Sequence, residues 1–168
     1  MKKSIKFRSM KTQILTVNKI HQICKLKKQH YGFSIQKKKN WFKRNIKENY
    51  IHNMIYLKED LIGYNCLRTH YIKKKIKYIL FDTIIIDKKF RKLGHSKKIM
   101  KYSIKIIKRF KTVGILFCKN KMKNYYLKYE WKVLKNDNFL KSKKICMTYD
   151  LDKISIEKFK NNFLLLIK

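Results

Sequence analysis

The chain has 168 residues, of which 45% are apolar and 14% aromatic, although 33% are charged. This length and apolar content suit one folded domain and exclude a disordered polyelectrolyte. The formal net charge is +35, from 45 Lys and Arg against 10 Asp and Glu. By itself, this charge favours a polyanionic partner such as nucleic acid or an anionic membrane surface.

The cationic residues are nearly all lysine, because arginine occurs only at positions 8, 44, 68, 91 and 109. Ile, Asn, Tyr and Phe are abundant, whereas Ala and Pro are absent. This usage is typical of A/T-rich coding sequence, so we interpret much of the lysine excess as composition on solvated faces. Phosphate clamping and base reading favour arginine. The charge therefore predicts no more than non-specific contact with nucleic acid.

The four cysteines, Cys24, Cys66, Cys118 and Cys146, are widely spaced and form no CxxC pair. This spacing predicts neither a zinc knuckle nor a disulfide framework. His21 and Cys24 can share a helical face, but two ligands do not make a metal site, so no metal is expected. The N-terminal segment lacks an apolar h-region, and no stretch reaches the roughly 18 apolar residues of a membrane span. We expect a reduced, soluble, cytoplasmic protein with no membrane partner.

Hydrophobic spacing in the first part of the chain changes from a helical period to an alternating one. The predicted elements are a strand over 4–10, helices over 17–30 and 35–46, and strands over 51–57 and 61–70. Gly32 should end the first helix, and Trp41 and Phe42 should be the buried residues of the second. The two later strands are predicted to form a hairpin across the turn at 58–60.

The second part of the chain reads as alternating strands and helices. The predicted elements are a strand over 79–86, a helix over 95–110, a strand over 113–118, a short helix over 122–129, closing strands over 131–134 and 144–151, and an amphipathic C-terminal helix over 152–168. The run ILFDTIII at 79–86 is typical of a buried central strand. One face of the helix over 95–110 carries Ile99, Met100, Ser103, Ile106, Ile107 and Phe110. Hairpins mixed with strand-helix-strand units predict an α/β fold with a sheet of mixed direction.

The stretch FRKLGHSKK, residues 90–98, joins the predicted central strand to the next helix. A strand that leads into a helix presents the free N–H groups of the first helical turn to a ligand. Gly94 allows close approach of the backbone, and Arg91, Lys92 and Lys97 add positive charge. The Walker A pattern and the dinucleotide fingerprint are both absent. These residues alone suit an ordinary helix-entry turn and a phosphate site equally well.

The longer stretch DTIIIDKKFRKLGHSKKIMKYSIKII resembles the central motif of the GCN5-related N-acetyltransferase (GNAT) family. That motif consists of a strand with an aliphatic last residue, then R/Q-x-x-G-x-G/A and a long helix. Here Ile86 corresponds to the aliphatic residue, and Arg91, Gly94 and Ser96 fill the motif. Ser96 stands where the family has Gly or Ala.

A second segment, CKNKMKNYYLKYEWK, resembles the later strand-helix-strand of the same family. Tyr125 and Tyr126 match the aromatic-Tyr pair of that segment, and Trp131 matches the aromatic residue that follows the pair. Glu130 stands where the family usually has Gly. The turn and strand over 58–67, which contain LIGY, also resemble the hairpin of the family. Together, these segments extend the resemblance over roughly residues 50–150. It implies one domain over residues 1–168, with a mixed, mostly antiparallel central sheet, flanking helices and a splayed strand pair.

The resemblance implies acetyl-CoA as the acetyl donor. In the family, the pyrophosphate lies on backbone N–H groups of the motif loop, which corresponds here to Arg91, Lys92, Leu93, Gly94, His95 and Ser96. The pantetheine arm lies in the splay between two central strands, here 80–86 and 113–118, beside the backbone of Ile84 and Ile86. Asn120, next to the position of the family's Asn, is a further implied cofactor contact.

The resemblance also implies direct attack of an amine on the thioester. This reaction needs a neutral amine, an N–H group for the oxyanion and an acid for the leaving thiolate. The family's acid is the second residue of the aromatic-Tyr pair, which is Tyr126 here. Asp82 stands where many members carry an acidic residue that acts as a base or orients the amine. A lysine ion pair for Asp82 and core packing for Tyr126 are the structural alternatives.

Two hypotheses about function follow, beside the possibility of an unrelated small α/β protein whose glycine turn is incidental. The first is an acetyl-CoA-dependent N-acetyltransferase that acts on an amine-bearing small molecule or protein. The alternative is a catalytically inactive CoA- or RNA-binding module of the same fold, motivated by Ser96 and Glu130. No motif assigns the acceptor, and no feature of the sequence assigns the oligomeric state.

Overall fold

The computed structural model describes residues 5–134 and 144–150. In chain order, the described helices and strands are β1 (Ile5–Lys11), α1 (Val17–Tyr31), α2 (Ile35–Asn45), β2 (Ile51–Leu57), β3 (Asp60–Ile72), β4 (Ile76–Ile86), α3 (His95–Arg109), β5 (Val113–Cys118), α4 (Lys123–Leu127), β6 (Lys132–Val133) and β7 (Ile145–Tyr149). The strands form one sheet in the order β1-β2-β3-β4-β5-β7-β6.

The sheet is mixed and mostly antiparallel, as predicted. β1 pairs antiparallel with β2, β2 with β3, and β7 with both β5 and β6. The central pair β4 and β5 is parallel, and its ladder joins Tyr78–Leu80 to Val113–Ile115. β4 continues to Ile86 and β5 to Cys118.

Contacts divide the chain into two compact units. The first unit contains the described residues up to Arg68 together with Thr83–Ser103, and the second contains Thr69–Asp82 and the described residues from Ile104 onward. The prediction of a single domain stays a prediction.

In the first unit, α1 and α2 cover one face of β2 and β3, and α3 covers the other. Thr16 caps α1 by accepting a hydrogen bond from the Lys19 N–H at 3.4 Å, and Gly32 ends it with φ 67. The cluster under α1 and α2 includes Ile23, Leu26, Phe42, Met54, Tyr64 and Cys66. The cluster under α3 consists of Ile55, Ile62, Ile86 and Ile99, with Ile84 and Phe90 packed against it.

In the second unit, β5 is buried on both faces, as a central strand should be. One apolar cluster contains Ile72, Val113, Ile115, Leu134 and Cys146. On the other face, a Cβ built on Gly114 would lie 3.0 Å from the Ile107 side chain and 3.1 Å from the Trp131 ring. The glycine therefore lets α3 and Trp131 approach the strand.

Two residues predicted to be buried on helices lie at the surface instead. Phe42 is buried in α2 as predicted, but Trp41 is 37% exposed. Its ring lies between two cations, 5.0 Å from Lys27 Nζ and 5.7 Å from Arg68 Cζ, and this contact holds it at the surface. Phe110 is 40% exposed because it lies beyond the last residue of α3.

The other boundaries differ little from the predictions. The short helix predicted over 122–129 is a 3-10 turn, Asn120–Met122, followed by the five-residue α4. The hairpin turn between β3 and β4 contains Lys73 and Lys74 with φ 47 and 59. The helix predicted over 152–168 lies outside the described residues. Within the part of the chain that the structure describes, no helix has the length and apolar character needed to cross a membrane.

Candidate functional site

The loop 91–96 begins after a 3-10 turn that follows β4. Asp87 starts this turn, because its carboxylate accepts a hydrogen bond from the Lys89 N–H at 2.9 Å. Lys92 and Gly94 then adopt φ values of 64 and 77, in the left-handed region that glycine enters without steric cost. Apart from its chain neighbours, no described atom lies within 4 Å of a Cβ built on Gly94. The space beside this glycine is therefore open.

The N-terminus of α3 completes the loop. The Gly94 carbonyl accepts the first helical hydrogen bond, from the Lys98 N–H at 3.2 Å. By helix geometry, the N–H groups of His95, Ser96 and Lys97 have no partner within the helix. The first turn contains no acidic residue, so nothing in it neutralises the positive end of the helix dipole. The loop 91–96 therefore suits an anionic group such as a phosphate.

The guanidinium of Arg91 is held in place by the last turn of α1. Its Nη2 lies 2.9 Å from His30 Nδ1, and its Nε donates to the Ile86 carbonyl at 3.4 Å. His30 Nε2 lies 3.2 Å from the same carbonyl. Burial and the positive charge of Arg91 lower the pKa of His30. Sequence reasoning missed His30, because it lies 61 residues from Arg91 and belongs to no motif.

The two isoleucines predicted to lie beside pantetheine are at the end of β4. The side chains of Ile84 and Ile86 both face the cluster under α3. The Ile86 carbonyl already accepts hydrogen bonds from Arg91 and His30. Thr83, just before them, adopts a φ of 40, a strained value for a β-branched residue.

His95, the first residue of α3, has a buried side chain that is 5% exposed. Its Nδ1 has no hydrogen-bond partner among the described residues. Burial and then the neighbouring Lys98 lower the pKa of His95, so the ring is neutral at physiological pH. The resemblance assigns His95 a role through its backbone N–H, and the buried ring is compatible with that role.

The two predicted catalytic side chains are positioned by β4 and α4 in the second unit. Tyr126 is 7% exposed, and its ring packs edge-on against Phe81 at 6.3 Å and Trp131 at 6.5 Å between centroids. Phe81 directly precedes Asp82 in β4, and successive strand residues point to opposite faces. Asp82 is half-buried on the face opposite Phe81. The structure therefore does not bring Tyr126 and Asp82 side by side.

Cys118 and Asn120 follow the end of β5. The Cys118 side chain is 6% exposed, and its thiol lies 3.8 Å from the Met147 sulfur. Burial raises the pKa of Cys118, which keeps the thiol protonated and argues against a nucleophile. Asn120 is exposed and begins the 3-10 turn before α4.

Glu130 occupies the position where the resembling family usually has glycine. It adopts φ 64, so the left-handed turn is kept although the residue is not glycine. Its carboxylate accepts a hydrogen bond from the Tyr149 hydroxyl at 3.2 Å. In the described ranges, 5–134 and 144–150, no group of three or more His, Cys, Asp or Glu residues is arranged to hold a metal ion.

Comparison with solved structures finds proteins of the same architecture. An acyl-CoA N-acyltransferase from Pseudomonas aeruginosa superposes with a TM-score of 0.70 at 13% identity, over 86% of this chain and 99% of that one. Escherichia coli ElaA gives 0.66 at 12% identity, over 86% and 99%. The PaiA N-acetyltransferase from Thermoplasma acidophilum, solved with coenzyme A, gives 0.57 at 15% identity, over 86% and 98%.

No family model and no curated protein matches the sequence. The similarity is therefore one of architecture. The chain has a mixed sheet with a parallel central pair, β4 and β5, and it superposes on these solved structures over most of its length. The chain has the fold of the GCN5-related N-acetyltransferases.

Proposed function

We propose that the protein is an acetyl-CoA-dependent N-acetyltransferase that acts on an amine-bearing small molecule or protein. The observation that carries this proposal is the loop 91–96, with its open left-handed Gly94 in front of the free N–H groups of α3. The fold shared with N-acyltransferases, one of them solved with coenzyme A, supports the same reaction class.

In this proposal, the backbone N–H groups of Arg91, Lys92, Leu93, Gly94, His95 and Ser96 bind the pyrophosphate of acetyl-CoA. The Arg91 guanidinium adds a charged donor, and the lysines around the loop raise the local positive potential. The backbone of Ile84 and Ile86 lies along the pantetheine arm, and Asn120 is a further contact. The Ile86 carbonyl is already hydrogen-bonded, so the N–H groups of β4 are the better partners for pantetheine.

Acetyl-CoA, when bound, supplies an acetyl group activated as a thioester. Asp82 accepts a proton from the incoming ammonium or orients it, because a half-buried carboxylate is an effective partner for a cation. Tyr126 donates its hydroxyl proton to the leaving thiolate. The rings of Phe81 and Trp131 fix the orientation of the Tyr126 ring.

Coenzyme A binding and thiol release test this proposal. Millimolar CoA should raise the melting temperature of the wild-type protein, because a ligand that binds only the folded state stabilises it. Acetyl-CoA with a panel of amines and peptides should release free thiol. Gly94→Glu should abolish CoA binding, because it places bulk and negative charge in the loop.

Gly32→Glu is the matched control, because Gly32 has φ 67 and is equally open but lies at the end of α1. It should retain CoA binding despite a similar backbone strain of about 1 kcal/mol. No stabilisation of the wild type by CoA would overturn the proposal. Binding of acetyl-CoA without thiol release for any acceptor would instead support the catalytically inactive module.

A further inference from the structure

The last turn of α1 is tied to the segment that leads from β4 into the loop 91–96. Gln29 donates a hydrogen bond from Nε2 to the Asp87 carboxylate at 2.8 Å. His30 contacts the Ile86 carbonyl at 3.2 Å and the Arg91 guanidinium at 2.9 Å. One helical turn therefore contacts both ends of the segment 86–91.

The two partners of His30 define its protonation state. The Ile86 carbonyl can only accept, so His30 Nε2 carries the hydrogen. Arg91 Nη2 lies 2.9 Å from His30 Nδ1 and 3.4 Å from His30 Nε2, so the guanidinium lies against the imidazole, and a guanidinium can only donate. A neutral ring with hydrogen on Nε2 donates to the carbonyl and leaves Nδ1, the nitrogen nearer to Arg91, able to accept. A doubly protonated ring would turn an N–H group toward a cation.

The same contacts orient the guanidinium of Arg91. Its Nε donates to the Ile86 carbonyl and its Nη2 to His30, which fixes the plane of the group. Arg91 Nη1 makes no hydrogen bond to the described part of the chain, and the side chain is exposed. An oriented guanidinium with a free edge is a preorganised partner for a phosphate.

We propose that His30 is a positioning residue for the phosphates of CoA: the neutral imidazole holds Arg91 beside the loop 91–96, and its protonation releases Arg91. This inference rests on the proposed function and adds to it a sensitivity to pH. The charged groups that face His30 are Arg91, Lys88 and Asp87. Burial and the positive charge of Arg91 lower the pKa of His30 below the ordinary pKa of histidine. His30 therefore becomes protonated, and Arg91 is released, only at pH values below that ordinary pKa.

The test is the dissociation constant of CoA, measured by calorimetry between pH 5 and pH 7.5. His30→Gln keeps one N–H donor and one oxygen acceptor but cannot be protonated, so it should bind CoA like the wild type at pH 7.5. His30→Leu loses both bonds and should weaken binding about tenfold at that pH. His21→Gln, on the same helix and without a contact to Arg91, is the matched control.

The phosphate monoester of CoA titrates at about pH 6 and affects every variant alike. Wild type and His21→Gln should therefore lose more affinity on acidification than His30→Gln. Identical pH profiles for wild type and His30→Gln would overturn the inference, as would wild-type affinity in His30→Leu. Complete absence of CoA binding by the wild type would refute the proposed function instead. The comparison of wild type with His30→Gln holds even where His30→Leu does not fold.

Discussion

At the residue scale, His52 is a titratable group sealed in the core of the first unit. Its side chain is 0% exposed, with Nε2 2.8 Å from Thr12 Oγ1 and Nδ1 2.8 Å from the Tyr64 hydroxyl. Both partners can donate or accept, so the neutral ring is satisfied. Burial, and to a smaller extent the charge of Lys27, lower the pKa of His52 to about 3.

This histidine should make folding stability depend on pH. The ring of the unfolded chain titrates at about pH 6.5, so below that value the unfolded chain binds a proton that the folded chain does not. The stabilisation by the neutral ring is complete above about pH 6.5 and falls by about 2 kcal/mol at pH 5. Urea unfolding at pH 7 and pH 5 should show this loss in the wild type. His52→Gln should lose about 2 kcal/mol less, and an equal loss in both proteins would contradict the prediction.

The role proposed for Tyr126 rests on a single hydroxyl group. Tyr126→Phe keeps the ring that packs on Phe81 and Trp131, so folding should change little. Turnover should fall by about a hundredfold, as expected for loss of a general acid, while CoA affinity stays within about twofold. Thiol release and calorimetry measure the two quantities. The adjacent Tyr125→Phe is the control, and an unchanged rate in Tyr126→Phe would remove this residue from the acid role.

At the scale of elements, β4 contains an irregularity just where the predicted chemistry lies. Thr83 adopts φ 40 inside the strand, and its carbonyl accepts a hydrogen bond from the buried Asn65 amide at 3.4 Å. Asn65 in turn belongs to a buried network with Asn53 and Ser103, at 3.2 and 3.0 Å. Strain of this kind persists only where the surroundings fix it. Here the buried network holds the Asn65 amide, and that amide holds the backbone of Thr83, which follows Asp82 in β4.

The contact of β5 with its neighbours depends on the absence of a side chain at Gly114. A methyl group there would lie 3.0 Å from Ile107, 3.1 Å from the Trp131 ring and 3.3 Å from Tyr149 Cβ. We expect Gly114→Ala to destabilise the protein by about 1–3 kcal/mol, the usual cost of overpacking. Chemical denaturation measures this change. Gly94→Ala, where the space is open, should cost only about 1 kcal/mol of backbone strain, and equal losses would contradict the packing argument.

At the scale of the whole molecule, the net charge of +35 must affect every anionic partner. Its lysines give a diffuse field without the arginine forks that read bases. We therefore expect RNA binding that ignores sequence and weakens about a thousandfold or more between 50 and 200 mM salt. Fluorescence anisotropy with two unrelated single-stranded RNAs measures this. If the protein bound one RNA more tightly than the other at 200 mM salt, this result would contradict the interpretation of the charge as surface composition.

The sequence by itself determined the order and kind of the main helices and strands that the structure describes. Periodicity located α1, α2, α3 and the strands within residues 5–134 and 144–150 to within a few residues, because apolar spacing reports directly which face of an element is buried. Gly32 ended α1 in the left-handed conformation, as its position after the last apolar residue predicts. The motif around Gly94 also indicated a loop before a helix N-terminus, because glycine adopts the left-handed backbone conformation of such a loop without steric cost.

Only the tertiary structure decided the features that depend on residues far apart in the chain. His30 reaches Arg91 across 61 positions, and no local pattern in α1 distinguishes it from the other polar residues of that helix. Trp41 is exposed because Lys27 and Arg68 flank its ring, although the helical pattern predicts burial. The ring of Tyr126 packs edge-on against Phe81 and Trp131, although no local pattern pairs these residues. Contacts of this kind arise when elements pack, and local spacing does not encode them.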